Sequence, residues 1–179
     1  MNSLTEANQE FRDQRGESIA ELSRGQDCLI VFLRHSGCTF CREALDDLRK
    51  QRAAIEAQHV RPILVHMGDE ASGKQFFAAY GLDDWSRISD PELKLYHAYG
   101  LERGRVSQLL GPRVWWRGFK AAILSGHAVG ALRGDVRQMP GTFLVRDGKV
   151  IAAHRYATAA DRPDYCELAQ RRSTGTSGD

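Results

Sequence analysis

The chain has no uninterrupted apolar run near the ~18 residues a membrane-spanning helix requires, and no apolar N-terminal segment of the signal-peptide type. Excess charge of one sign is also lacking. Lys and Arg number 25 against 23 Asp and Glu, a net of +2 spread along 179 residues, so nothing calls for a nucleic-acid partner or a membrane surface. Cysteine is sparse, with only Cys28, Cys38, Cys41 and Cys166. At 42% hydrophobic content a chain of this length buries a full core without disulfides. A second CxxC and an HxxxH are both missing, so zinc ligation would have to recruit Cys28 or Cys166 and a dispersed histidine. No nucleotide-binding fingerprint is present, and neither a metal nor a cofactor is expected. These absences leave one domain of ordinary size, with a reducing cytoplasm as the expected compartment. There a paired cysteine motif is more often catalytic or metal-binding than structural.

What is present is Cys38-Thr39-Phe40-Cys41, placed between an apolar run and a helical pattern. Cys41, Leu45, Leu48 and Ile55 recur at helical period, interrupted by Arg52, so Cys41 opens the buried face of a helix over residues 38–58. Cys38 falls one turn earlier, beside backbone N–H groups without intrahelical partners. The positive end of the helix, with Arg34, His35 and Arg42 close in sequence, favours the Cys38 thiolate. Cys38 is therefore the expected nucleophile and Cys41 the resolving thiol. Arg34 and His35 are the expected thiolate-supporting residues.

Residues 28–33 form a continuous Ile/Leu/Val-rich run, expected as a central strand buried on both faces, with Cys28 in the core. Residues 60–67 read as a second strand and 71–81 as a second helix closed by glycine, which makes the two strands a parallel pair. A short strand is expected at residues 87–89. Asp90 and Pro91 suit the N-cap and first position of a helix ending at Gly100. Trp115, Phe119 and Ile123 mark a further helix, followed by a Gly- and Arg-rich loop at 125–139 that leads into Pro140. Asp147-Gly148 signals a hairpin between strands at 142–146 and 149–154, and a last helix is expected at 163–171. His66 reads as a surface or strand-end residue. The expected division is an N-terminal helical extension (1–26), a thioredoxin-like domain (27–171) and a disordered tail (172–179).

The order β-α-β-α, then a proline-led hairpin, then α, is the thioredoxin-like plan: an α/β fold with a central mixed sheet flanked by helices. The segment Phe32-Leu33-Arg34-His35-Ser36-Gly37-Cys38-Thr39-Phe40-Cys41-Arg42-Glu43 resembles the active-site segment of peroxiredoxin-like proteins of the alkyl hydroperoxide reductase/thiol-specific antioxidant superfamily. Ile88-Ser89-Asp90-Pro91-Glu92-Leu93-Lys94-Leu95-Tyr96 and Gln138-Met139-Pro140-Gly141-Thr142-Phe143-Leu144-Val145 are similar to peroxiredoxin-type segments as well. The resemblance implies peroxiredoxin-type helical insertions before the hairpin and an antioxidant thiol oxidoreductase. It also implies a peroxide or disulfide substrate and an external dithiol donor such as a thioredoxin or glutathione system.

Two departures from the peroxiredoxin pattern bear on the chemistry. His35 stands where the peroxide-orienting threonine would be, three residues before Cys38, and Val31 where its proline would be. Pro140 occupies the position of the distant arginine and looks like the cis-proline that faces the cysteines in thioredoxins, with Met139 and Pro140 as substrate contacts. Both changes shift the expectation toward disulfide exchange. A non-catalytic redox sensor and a CxxC metal-binding module are the alternatives.

Overall fold

The structure is a computed structural model, and it describes residues 3–34, 39–104, 137–158, 161 and 163–171. The helical pattern at 115–123, nearly all of the Gly- and Arg-rich loop and the tail lie outside the described residues.

Five strands form one mixed sheet in the order β3-β2-β1-β4-β5. They are β1 (Cys28–Phe32), β2 (Arg61–His66), β3 (Ser86–Ser89), β4 (Gly141–Arg146) and β5 (Lys149–Arg155). β1 pairs parallel with β2 and antiparallel with β4, and β2 pairs parallel with β3. The central position of β1 explains its unbroken apolar sequence. Leu29, Val31 and Leu33 enter the core on one face, while Cys28, Ile30 and Phe32 enter it on the other. Edge strand β5 is only half-buried.

On the first face lie α3 (Thr39–Glu56), α4 (Glu70–Ala78) and α6 (Tyr165–Gln170), which contribute Leu45, Leu48, Phe77 and Tyr165. On the second lie α1 (Ser3–Glu10), α2 (Ile19–Leu22) and α5 (Lys94–Ala98), which contribute Ala7, Ile19, Leu22, Leu95 and Tyr96. Each large apolar side chain so buried stabilises the fold by about 1.5–3 kcal/mol. Arg52 interrupts the α3 stripe without breaking it. Its guanidinium pairs with Glu56 at 2.9 Å and Asp84, and lies 5.7 Å over the Trp85 ring.

The helix expected from Pro91 starts later. Asp90 does accept backbone N–H groups, those of Lys94, Leu95 and Tyr96, but the three residues between make a turn that ends with Leu93 at φ 61°. The carboxylate thus reaches over the turn to α5 instead of capping a helix that begins beside it. The hairpin turn is as expected: Asp147 and Gly148 both take positive φ, 49° and 72°, as a two-residue turn matched to strand twist requires.

Candidate functional site

The carboxyl end of β1 delivers the chain to Leu33 and Arg34, and the first turn of α3 returns it as Thr39, Phe40 and Cys41. Tyr96 fixes this exit from the opposite face of the sheet. Its phenol donates to the carbonyl of Leu33 and lies 3.3 Å from that of Val65, tying together the ends of β1 and β2. Burial pushes the Tyr96 phenol well above its ordinary value, so it acts as a neutral donor.

Cys41 is buried, and its sulfur accepts the backbone N–H of Arg34 at 3.1 Å. A sulfur held by an N–H donor is better able to carry negative charge. The Arg34 side chain is itself buried, with Nε donating to the Gln138 carbonyl at 3.1 Å. Gln138 is fully buried, and its amide Nε2 donates to the carbonyls of Leu101 at 2.8 Å and Met139 at 3.2 Å. Three chain segments distant in sequence therefore hold one guanidinium in place.

Leu33, Arg34, Phe40, Cys41, Pro140 and Tyr156 surround a cavity of about 10 Å³, room for about one water. Behind it runs a buried hydroxyl series: Thr142 Oγ1 is 3.1 Å from the Tyr156 hydroxyl, which is 3.3 Å from that of Tyr165. Burial pushes the Tyr156 phenol up to about 12, against the hydrogen bonds from Thr142 and Tyr165. Nothing in the residue pattern marks Gln138 or this hydroxyl series, because Thr142, Tyr156 and Tyr165 meet only once the fold brings their segments together.

The structure gathers Arg34, Cys41 and Pro140 around one cavity, whereas Cys38 and His35 lie outside the described residues. No described peptide bond is cis, so the Met139–Pro140 bond is trans. The main chain here is engaged within the molecule: Met139 N–H donates to the Glu102 carbonyl at 3.2 Å, and Gly104 N–H to the Arg137 carbonyl at 2.7 Å. Arg103 and Gln138 form the antiparallel bridge between these two segments. The Met139 side chain packs over Gly104, where an added Cβ would stand 2.6 Å from its sulfur. Residues 102–104 thus already pair with the main chain around Met139.

Cys28 and Cys166 stand apart from the site. Cys28 is fully buried in the sheet, and burial pushes its thiol up to about 12, as a core residue. Cys166 is half-buried on α6, and burial raises its thiol too. Among the described residues no group of three or more His, Cys, Asp or Glu is placed to hold a metal ion, and no helix is long and apolar enough to cross a membrane.

The comparisons with known proteins agree with this geometry. The bovine prostamide/prostaglandin F synthase is 29% identical over 138 residues, covering 74% of this chain and 67% of that protein. The human peroxiredoxin-like 2C is 27% identical over 154 residues, covering 78% and 66%. The chain thus spans about two thirds of the length of these relatives. Among solved structures, peroxidoxin BcpB from Mycobacterium tuberculosis superposes with a TM-score of 0.59 at 12% identity, covering 89% of this chain and 86% of that one, which supports the fold alone. The family described as AhpC/TSA antioxidant enzyme matches residues 47–158, well over half of the chain. With a thioredoxin-like sheet, a cysteine-bearing helix at the carboxyl end of its central strand and this match over most of its length, the chain belongs to the AhpC/TSA antioxidant enzyme family.

Proposed function

We propose that the chain is a two-cysteine thiol oxidoreductase that reduces small peroxides or small disulfides, with Cys38 as nucleophile and Cys41 as resolving thiol. The observation that carries the reading is the placement of Cys41 on the first turn of α3, its sulfur on the Arg34 N–H and inside the cavity that Arg34, Pro140 and Tyr156 line. The Cys38 thiolate attacks one oxygen of a peroxide, the O–O bond breaks, and the leaving oxygen departs as hydroxide or alkoxide to be protonated. The resulting sulfenic acid condenses with the Cys41 thiol, forming the disulfide and releasing water. With a disulfide substrate the same attack gives a mixed disulfide and a leaving thiolate, which Cys41 then resolves. An external dithiol supplies the two electrons and two protons that regenerate the pair, and thioredoxin and glutathione systems are donors of that class. The N–H on the Cys41 sulfur helps this last step, because it stabilises Cys41 as the departing thiolate.

The engagement of Met139 with Glu102 favours small oxidants over extended polypeptides. Arg34, held by Gln138, is the positioning cation of the site, and His35 remains its proposed neighbour. The test is intact mass of the reduced protein, quenched with alkylator at intervals after one equivalent of hydrogen peroxide, followed by peptide mapping. Rapid loss of two thiols, mapped to Cys38 and Cys41, is expected. Cys38→Ser should abolish turnover, whereas Cys41→Ser should leave Cys38 reactive and trap a mixed disulfide or an over-oxidised acid. Equal inertness of the two variants would overturn the assignment of roles.

A further inference from the structure

Arg34 lines a second cavity as well, of about 30 Å³, at the carboxyl end of β2. Its other walls include His66, Gly68, Ser72 and Gly73. His66 is only 5% exposed, yet its Nε2 has no hydrogen-bond partner. An unsatisfied buried polar atom is destabilising, so its presence asks for a reason. The backbone makes room for the ring: a Cβ on Gly73 would stand 2.3 Å from Cε1 and 2.4 Å from Nε2. No residue but glycine fits there with the imidazole where it is.

The cavity also adjoins the N-terminus of α4, a nine-residue helix capped by Asp69, whose carboxylate accepts the Ser72 N–H at 2.7 Å. The other nearby acid, Glu70, accepts from both Nε and an Nη of Arg87. Arg87 thus offsets Glu70 and the helix N-terminus offsets Asp69, and the Arg34 guanidinium on the cavity wall adds the positive charge that favours an anion.

We propose that this cavity is a binding site for a carboxylate group, carried by a small molecule that meets the redox centre across Arg34. Two carboxylate oxygens take roughly the space of two waters, which 30 Å³ provides. Guanidinium geometry suits a carboxylate, and the imidazole of His66 and the hydroxyl of Ser72 add donors beside it. The purpose of the site rests on the proposed redox function, because Arg34 also lines the Cys41 cavity. The binding itself does not depend on turnover.

The test is a titration of the reduced protein with formate, followed by the backbone amide resonances of Gly68, Ser72 and Gly73, with formamide as the neutral isostere. Saturable shifts are expected with formate, at an affinity about tenfold or more tighter than with formamide. Shifts that do not saturate, or equal responses to the two probes, overturn the proposal, and neither comparison needs a variant. In His66→Phe the formate response should be lost, and a response unchanged in that variant, with its amide spectrum still native, overturns it too. Two further arms identify the source of the carboxylate. Tighter binding of glutathione than of formate makes the electron donor the carrier, whereas faster thiol loss with a hydroperoxy carboxylic acid than with its methyl ester makes it the oxidant. A protein that binds formate but loses no thiol to any oxidant keeps the site and refutes the redox reading. The reverse result keeps the redox reading and refutes the site.

Discussion

His66 shows how much one buried side chain depends on its neighbours. Its ring meets the Phe77 ring edge-to-face at 5.3 Å, and burial depresses its titration to about 4. Glu70 and Asp69 oppose that depression, while Arg87 adds to it. An unfolded histidine titrates near 6.5. Between these values the unfolded chain binds the extra proton, so stability is complete above about pH 6.5 and falls as the pH drops toward 4. The difference is worth roughly 3 kcal/mol. Denaturant unfolding between pH 7 and 4 should show this loss in the wild type, and His66→Phe should show a much shallower slope. Parallel slopes in the two proteins would refute it. Gly73→Ala tests the same contact from the other side, since its methyl group would drive the ring out of place. A destabilisation of about 1–3 kcal/mol is expected, measured as a lower denaturation midpoint. From the sequence alone His66 reads as a surface or strand-end residue. Its position at the end of β2 was legible, but its burial was not, because that depends on a glycine seven residues later and on α4 folding over it.

Elements whose chemistry is local were the most legible. Asp147 and Gly148 specify the β4–β5 turn by themselves, and the structure adds only what the turn rests on. Asp147 Oδ1 accepts the Gly25 N–H at 2.8 Å, Asp147 N–H donates to the Ser23 carbonyl at 2.8 Å, and Asn8 Nδ2 donates to the Gly148 carbonyl at 3.0 Å. The hairpin is therefore clamped to α1 and to the end of α2. Gly148→Ala keeps these partners but forces a Cβ into φ 72° in otherwise open space, and should cost about 1 kcal/mol. A shift in thermal midpoint measures it, and no shift would mean the turn relaxes freely. The start of α5 was only half legible. Asp90 is the right acceptor, but Pro91 after it suits a nearer helix start, and the turn through Leu93 follows from packing of Leu93 and Leu95 in the core. The burial of β1 on both faces was legible for the opposite reason: a run apolar at every position leaves both faces no choice but the core.

For the whole molecule, the sheet order brings β1, β4 and residues 137–140 to one end, and under the proposed function these residues govern which substrates reach the cysteines. In sequence, Met139-Pro140 beside a CxxC reads as a docking edge for an extended substrate. The fold closes that edge with residues 102–104, through the Met139 N–H to Glu102 carbonyl bond at 3.2 Å and the Gly104 N–H to Arg137 carbonyl bond at 2.7 Å. No local pattern announces the closure, since the two segments are more than thirty residues apart and meet only once β1 and β4 pair. Strand addition draws its affinity from main-chain hydrogen bonds, and here those groups already have partners. Reduction of a disulfide in an unfolded polypeptide should accordingly be slower than reduction of a small disulfide by about tenfold or more, each unpaired step of docking costing roughly 1 kcal/mol. Stopped-flow thiol loss with the two substrates gives the ratio directly. Gly104→Pro removes the N–H donated to Arg137 and sets a Cβ against the Met139 sulfur, so it should open this edge and narrow that ratio by speeding the polypeptide reaction. If the wild-type protein already reduces the polypeptide as fast as the small disulfide, the closed edge does not govern access, and the cysteines are reached by another route.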